Sequence, residues 1–215
     1  MTDIAVLGSG AVGTSLATGL AAAGHRVLTG STRPDRPRPA DDPAPAAGVR
    51  FTGHAEAAEH ASIVFNTTPG EVSVALLRDL EPALRGRVLV DVSNAAERSP
   101  EGFPVAPLYP HSSLAEEIQR VLPRTRVVKA LNTMDHSVMT APRILPAPAT
   151  AFLSGDDPHA KEELSALLGD LGWPRAWILD LGGLYTARAL EWTVLMLGPF
   201  ITRHGFVPFG LSIAH

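Results

Sequence analysis

The chain contains no cysteine among its 215 residues, which excludes disulfide bonds, thiolate metal sites and cysteine nucleophiles. Aromatic residues make up only 6% of it, and the net charge of −4 gives no reason to expect a nucleic-acid partner or an acidic membrane. The longest apolar stretch, Leu190 to Ile201, contains Glu191 and Pro199 and is too short to cross a bilayer. The chain does not start with a charged segment followed by an apolar one, as a signal peptide does. We therefore expect a cytoplasmic protein that binds no metal, nucleic acid or membrane.

A glycine pattern occupies the start of the chain. Residues 4–7 predict a strand, residues 14–23 predict a helix, and the sequence G-S-G-A-V-G between them is an instance of G-x-G-x-x-G. In this context the first glycine permits a tight turn, the second lets a pyrophosphate approach the backbone, and the third lets the helix pack on the sheet. An ordinary glycine-rich turn is the alternative. The pattern predicts a dinucleotide site formed by Gly8, Ser9, Gly10, Ala11, Val12 and Gly13.

The residues after the second predicted strand, 25–29, indicate which dinucleotide binds. A site for NAD places Asp or Glu near the end of this strand, where it binds the ribose hydroxyls. Here residues 25–34 contain no Asp or Glu, and Asp35 is the first carboxylate after the strand. Ser31 and Thr32 offer hydroxyl groups instead, and Arg33 offers a planar guanidinium suited to a phosphate dianion. The segment therefore predicts NADP(H), with a solvated surface role for Arg33 as the alternative.

Strands and helices alternate along the rest of the chain. Five prolines between 34 and 46 predict an extended loop in place of a crossover helix. Further strands are predicted at 49–51, 62–66, 87–92, 126–131, 151–154 and 173–179, and helices at 53–60, 71–80, 113–122, 159–171 and 184–204. This order predicts an α/β fold of Rossmann type, doubly wound around a mostly parallel sheet, with a small C-terminal helical extension.

We place the dinucleotide-binding domain at 1–150 and the extension at 151–215, where it completes the substrate cleft. The last predicted helix, 184–204, is apolar, and Arg188 and Glu191 are spaced to pair on one of its faces. Its hydrophobicity predicts burial against the first domain or against a second subunit.

Small polar residues follow three of the predicted strands. Each group alone is typical of a turn. Because ligands bind outside the carboxyl ends of strands in doubly wound sheets, we expect the groups to converge on the coenzyme, near its nicotinamide-side ribose and phosphate. The predicted coenzyme contacts at these strand ends are Thr67, Thr68, Pro69, Asn94, Asn132 and Thr133.

Taken together, these features resemble the coenzyme F420-dependent NADP reductases. The resemblance covers nearly the whole chain and rests on the order and spacing of individually weak motifs. They are the N-terminal glycine pattern, Gly24-His25-Arg26-Val27, Gly30-Ser31 followed by arginine, Val127 to Thr133, Ser154 to Asp157, Asp180-Leu181-Gly182, and Arg188 with Glu191. It implies a homodimer that transfers a hydride between NADP(H) and a deazaflavin, with coenzyme F420 as co-substrate. Ser31, Thr32 and Arg33 match the family's 2′-phosphate residues, although Thr32 stands where close members often place arginine, which shifts the charge contact to Arg33.

Hydride transfer between a nicotinamide and a deazaflavin requires two stacked rings and the exclusion of water, with little acid–base catalysis. Ala95, Leu131 and Met134 are small or apolar residues that suit the walls of such a cleft. The phosphate and polyglutamate tail of the deazaflavin would require basic groups. The arginines available by type are Arg98, Arg143 and Arg203.

Two other functions stay open. An NADPH-dependent reductase of a small carbonyl or imine substrate, without F420, would require a proton donor. Tyr109, His111, Lys129 and His136 are the donors available by type, although a structural or surface role explains each more simply. A non-catalytic NADPH-binding sensor would require no donor at all. No catalytic residue is assigned from the sequence.

Overall fold

The structure, a computed structural model, describes residues 1–34 and 48–213 and shows strands alternating with helices. The strands are β1 (Asp3–Leu7), β2 (Arg26–Gly30), β3 (Val49–Thr52), β4 (Ile63–Asn66), β5 (Val88–Asp91), β6 (Ala96–Arg98), β7 (Pro104–Pro107), β8 (Arg126–Ala130), β9 (Ala151–Ser154) and β10 (Ile178–Asp180). The helices are α1 (Ala11–Ala22), α2 (His54–Glu59), α3 (Gly70–Asp79), α4 (Glu81–Leu84), α5 (Leu114–Val121), α6 (His136–Thr140), α7 (Pro158–Asp170), α8 (Ala187–Trp192) and α9 (Leu197–His204).

Eight strands of the described residues form one sheet in the order β3-β2-β1-β4-β5-β8-β9-β10. Neighbours from β3 to β8 are parallel, whereas β9 runs antiparallel to β8 and parallel to β10. The chain passes from β3 at one edge to β4 in the middle, so the strand order reverses between β1 and β4. A crevice for ligands opens at the carboxyl ends of the strands at such a reversal. The predicted Rossmann-type, mostly parallel fold is confirmed.

The core lies on both faces of this sheet. In β1, Ile4 and Val6 join one apolar cluster with side chains of α1 and α7, and Ala5 and Leu7 join another with side chains of α3 and α5. This alternation with a period of two is that of a strand covered by helices on both sides. The chain is exposed directly after β1 and β2, at Ser9, Gly10, Thr32 and Arg33, which are among the predicted coenzyme residues.

One predicted strand differs from the structure, and the structure contains a hairpin that was not predicted. The strand predicted at 173–179 is wrong over most of its length, because Pro174 precedes a 3₁₀ turn at Arg175–Trp177 and only Ile178–Asp180 pair in the sheet. The β6–β7 hairpin was not predicted at all. The loop predicted over 34–46 lies outside the described residues from position 35 onward.

The C-terminal helical extension is confirmed, but it is not one regular helix. It consists of a 3₁₀ turn at Leu184–Thr186, then α8, a 3₁₀ turn at Thr193–Met196 and α9. Pro199 has no N–H to donate to the preceding turn, and the Thr193 hydroxyl donates to the Leu190 carbonyl at 2.6 Å, so both favour a tightened segment here. Because β9 and β10 continue the same sheet, the division at residue 150 stays a prediction. No helix of the described residues is long and apolar enough to span a membrane.

Candidate functional site

The glycine turn connects β1 to α1 at the carboxyl end of the sheet. Gly8 has φ +121°, and a Cβ there would lie 2.6 Å from Thr67 Oγ1. A Cβ on Gly13 would overlap with the Gly8 carbonyl oxygen, so only glycine lets the helix start this close to the strand. A Cβ on Gly10 would meet no atom of the described residues within 4 Å. The turn therefore presents an open face at Gly10, beside the unpaired N–H groups that begin α1. Ser9, Gly10 and Ala11 are exposed, and Val12 is half-buried.

The three residues after β4 follow that strand beside the glycine turn. The Thr67 hydroxyl donates to the Leu7 carbonyl oxygen at 2.8 Å, and the buried Thr68 hydroxyl donates to Asn66 Oδ1 at 2.6 Å. Both predicted ligand hydroxyls thus give their proton to a protein acceptor, whereas Pro69 is exposed directly before α3. Thr67 and Thr68 thus position the loop, and the coenzyme contacts predicted for Thr67, Thr68 and Pro69 stay predictions.

The predicted 2′-phosphate residues follow β2 at the same edge. The Gly8 N–H donates to the Gly30 carbonyl at 2.9 Å, which places this strand end beside the glycine turn. Ser31 Oγ accepts a hydrogen bond from the Arg33 N–H at 3.1 Å. Thr32 and Arg33 are exposed, and no described carboxylate pairs with Arg33. A guanidinium without a carboxylate partner among residues 1–34 and 48–213, on a segment that also carries two hydroxyls, fits a phosphate dianion.

Two side chains of α2 lie next to this segment. A Cβ on Gly30 would lie 2.8 Å from His54 Nδ1, and burial lowers the pKa of His54, so its imidazole is neutral at neutral pH. The carboxylate of Glu56 is hydrogen-bonded by the Thr52 hydroxyl. Within the described part of this segment, Arg33 is therefore the cation available to a phosphate.

A buried charged cluster lies beneath the strand ends. Lys129 Nζ on β8 is 2.8 Å from Asp91 Oδ2 on β5 and 2.9 Å from Glu191 Oε1 on α8, and the three side chains are 0%, 0% and 4% exposed. Glu191 also accepts hydrogen bonds from the N–H groups of Leu114 at 2.7 Å and Ala115 at 3.2 Å, where α5 begins. The cluster ties α8 and α5 to the sheet.

The charges in this cluster oppose the effect of burial. Burial acts to lower the pKa of Lys129, but the carboxylates of Asp91 and Glu191 outweigh it and raise that pKa above its usual value. Burial raises the pKa of Glu191, against the lowering effect of Lys129.

The predicted pairing of Arg188 with Glu191 is wrong. Glu191 is turned into the core, whereas Arg188 stays at the surface and binds Glu116 at 2.7 and 2.9 Å.

No sequence prediction assigned this cluster. One signal for it is present, because a lysine inside the apolar run 127–131 must find a partner if that strand is central. Asp91 and Lys129 are register partners in neighbouring strands. Glu191, however, reaches them only through the path of the C-terminal extension, which no local pattern reveals.

Two asparagine amides join the ends of β5 and β8. Asn94 Nδ2 donates to the Asn132 carbonyl at 3.0 Å, and Asn132 Nδ2 donates to Asn94 Oδ1 at 2.9 Å. Asn132 Nδ2 also donates to the Leu190 carbonyl at 3.1 Å. The structure therefore brings these two predicted strand ends together and attaches the C-terminal extension to them.

A cavity of about 180 Å³ lies between these strand ends and the extension. It is lined by Asn94, Asn132, Thr133, Met134, Thr193, Val194, Met196, Leu197, Phe200, Phe209, Gly210 and Leu211. None of these residues has an ionisable side chain. Of the residues expected in the substrate cleft, Met134 lines it. Ala95 and Leu131, 2% and 1% exposed, are instead packed into the cores on the two faces of the sheet, and their side chains do not reach the cavity.

The proton donors considered by type lie elsewhere. Lys129 is fully buried in the charged cluster, and His136 Nδ1 is 2.8 Å from Ser15 Oγ on α1. His111 is exposed, and burial raises the pKa of Tyr109 above its usual value, with Glu117 adding to the rise. None of the four donors lines the cavity. The described residues include no group of three or more His, Asp or Glu that could hold a metal ion.

The three arginines considered for a deazaflavin tail differ in position. Arg98 donates to the Gly102 carbonyl at 2.9 Å, and the Arg143 guanidinium stacks 5.1 Å from the Trp177 ring centroid. Arg203 is exposed on α9, the helix that also contributes Phe200 to the cavity. Of the three, Arg203 is therefore the one on an element that forms the cavity wall.

Comparison with known proteins identifies the family of this chain. A family model described as NADP oxidoreductase coenzyme F420-dependent matches residues 3–95. The F420-dependent NADP reductase of Methanothermobacter marburgensis is 31% identical over 202 residues, which cover 87% of this chain and 87% of that protein. The metalloreductase STEAP3 of Rattus norvegicus is 31% identical over 204 residues, and the chain spans 91% of its own length but 37% of that protein. The crystal structure of a candidate F420-dependent NADP reductase from Arthrobacter sp. FB24 has a TM-score of 0.91 at 35% identity and covers 100% of both chains. The chain belongs to the F420-dependent NADP reductase family of NADP-dependent oxidoreductases.

Proposed function

We propose that this protein transfers a hydride between NADP(H) and a deazaflavin of the F420 type. The observation that carries this proposal is the cavity at the strand ends, whose lining contains no ionisable side chain. A carbonyl or imine reductase requires a proton donor beside its substrate. Hydride transfer to a deazaflavin requires two rings stacked without water between them, and the proton that completes the reduction can come from solvent.

The coenzyme-binding surface follows from the same edge of the sheet. The open face at Gly10 and the N-terminus of α1 would hold the pyrophosphate, and Ser31, Thr32 and Arg33 would hold the 2′-phosphate. Bound NADP(H) supplies or accepts the hydride at its nicotinamide ring. The reaction balances as NADPH, F420 and one proton giving NADP+ and reduced F420, with the proton taken from solvent.

The protein's contribution is to orient the rings and exclude water. Val194, Leu197, Phe200 and Phe209 form an apolar wall opposite the amides of the strand ends. Fixed orientation of the reactants can lower a barrier by about 7–11 kcal/mol.

The test is to mix the protein with NADPH and oxidised F420 and to follow the absorbance of the deazaflavin. We expect turnover by the native protein and none by Gly10→Ala, in which the new methyl group occupies the pyrophosphate face. Absence of turnover with F420, together with activity on a panel of carbonyl or imine compounds, would move the function to an NADPH-dependent reductase. Tight NADPH binding with no hydride transfer to any acceptor would indicate a sensor.

A second acceptor class is supported by the relative named a metalloreductase, which is 31% identical over most of this chain. The same assay with a ferric chelate and added flavin in place of F420 tests it. Faster NADPH oxidation with the chelate than with F420 would favour this acceptor.

We also propose that the protein is a homodimer. Several large apolar side chains of the C-terminal extension are exposed. The exposed fraction is 66% for Tyr185, 45% for Trp192, 58% for Met196 and 88% for Phe206. Apolar exposure of this extent is typical of an interaction surface. A monomeric mass in solution would exclude the dimer.

A further inference from the structure

Asn132 carries a buried hydrogen-bond acceptor that no described residue satisfies. Its Nδ2 donates to Asn94 Oδ1 at 2.9 Å and to the Leu190 carbonyl at 3.1 Å. A backbone carbonyl can only accept, so the amide nitrogen must face Leu190 and the orientation of the amide is settled. The remaining atom, Oδ1, is buried without a partner, and the residue is 7% exposed.

Thr133 repeats this pattern at the next position. Its Oγ1 is also buried without a partner among the described residues, and the residue is 3% exposed. Both residues line the cavity at the strand ends. Eight buried side-chain atoms of the described residues lack a hydrogen-bond partner, and of these only the two on Asn132 and Thr133 belong to residues that line this cavity. Their shared position points to a ligand that completes their hydrogen bonds.

The rest of the cavity restricts what this ligand can be. Its volume of about 180 Å³ lies below the roughly 300–1,000 Å³ of sites for drug-sized molecules. Its walls include Met134, Leu197 and Phe200, and none of its lining residues is charged. The cavity therefore suits one flat ring with a small uncharged polar substituent.

We propose that Asn132 Oδ1 accepts a hydrogen bond from the carboxamide NH2 of the nicotinamide ring and that the Thr133 hydroxyl donates to the carboxamide oxygen. A primary carboxamide presents a donor and an acceptor on one carbon, which matches an obligate acceptor and a hydroxyl on adjacent residues. The assignment rests on the proposed function, because it takes NADP(H) as the ligand. The two hydrogen bonds fix the rotation of the ring and so determine which of its faces meets the hydride acceptor.

Binding of two coenzymes, measured by calorimetry, tests the assignment. The 3-acetylpyridine analogue of NADP+ keeps the carbonyl group but has a methyl group in place of NH2. We expect the native protein to bind this analogue roughly 5- to 150-fold more weakly than NADP+, because Asn132 Oδ1 loses its donor. Asn132→Leu should bind both coenzymes equally.

Thr133 provides a second variant that does not depend on Asn132. Thr133→Val should weaken NADP+ and the analogue by the same factor, about 3- to 10-fold, because both retain the carbonyl that the hydroxyl binds. Thr133→Ser keeps the hydroxyl and is the matched control. Since no described residue bonds to this hydroxyl, the valine variant should fold, and it carries the test if Asn132→Leu does not.

Adenosine 2′,5′-bisphosphate separates this inference from the proposed function, because it lacks the nicotinamide. Equal binding of this fragment to the native protein and the variants shows that the phosphate sites are intact. If the native protein does not bind the fragment, the NADP(H) function fails. If the native protein binds the fragment, either of two results refutes the carboxamide assignment. One is that Asn132→Leu discriminates between NADP+ and the analogue as the native protein does. The other is that Thr133→Val binds both coenzymes with native affinity. An effect of Asn132→Leu confined to KM for F420 would refute it as well.

Discussion

Replacing Lys129 with methionine should destabilise the fold severely. The substitution keeps most of the side-chain volume but removes the ammonium group that lies 2.8 Å from Asp91 Oδ2 and 2.9 Å from Glu191 Oε1. Two carboxylates would then face each other in the core without a cation. Breaking a buried ion pair in this way costs about 3–5 kcal/mol. That is a large part of the roughly 5–15 kcal/mol that stabilises a typical domain.

Urea unfolding followed by circular dichroism at neutral pH measures this loss. The matched control is Arg175→Met, which breaks the pair with Glu162 at 2.8 Å, where the side chains are 68% and 66% exposed. An exposed pair contributes less than about 1 kcal/mol, so the control should unfold nearly as the native protein does.

The pH dependence adds an independent measurement. Burial already raises the pKa of Glu191 in the presence of Lys129, and without the ammonium group the hydrogen bond from the Leu114 N–H is left to oppose that rise. A carboxyl whose pKa is raised by folding stabilises the fold below its unfolded pKa and loses that contribution as the pH rises through the folded pKa. The deficit of Lys129→Met should therefore widen from about pH 5 to about pH 8. A loss no larger than that of Arg175→Met, or a deficit equal at both pH values, would refute the buried ion cluster.

Three other predictions concern the coenzyme edge and the extension. Gly10→Ala should keep the native unfolding temperature and lose NADPH binding, whereas Gly13→Ala should lower the unfolding temperature, because its Cβ overlaps with the preceding turn. Scanning calorimetry measures the unfolding temperature of each variant, and a coenzyme titration measures its NADPH binding. An unfolding temperature of Gly13→Ala equal to that of the native protein would contradict the packing at this glycine. Arg33→Ala should weaken NADPH by about 1–3 kcal/mol and leave NADH unchanged, and equal weakening of both would show that Arg33 does not bind the 2′-phosphate. Trp192→Glu should shift the mass in light scattering from dimer to monomer, because it places a charge on an exposed apolar surface, and an unchanged dimer would place the interface elsewhere.

The outer features of the site could be predicted because local sequence determines them. The glycine turn and the strands on either side of it depend on residues that are close along the chain. The absence of a carboxylate from the four residues after β2 is likewise visible in the sequence. Such features need only backbone conformation and hydrophobic periodicity, both of which are readable within a short segment.

The interior of the site depended on contacts between distant segments. Thr67 and Thr68 are predicted coenzyme contacts, and the sequence did not reveal that their hydroxyls donate to protein acceptors. Ala95 and Leu131 were expected in the cleft, but they lie in the cores. In each case residue type indicated a possible contact, while the direction of the side chain was set by elements packed against it.

The sequence by itself determined the Rossmann-type sheet, the dinucleotide turn and the preference for a 2′-phosphate, since each is encoded within one strand, turn or helix. Only the tertiary structure decided that Glu191 binds Lys129 instead of Arg188 and that the extension closes an apolar cavity over Asn132. The physical reason is that a buried charge or amide takes the partner that the folded chain brings within hydrogen-bond distance, and that partner need not be near in sequence.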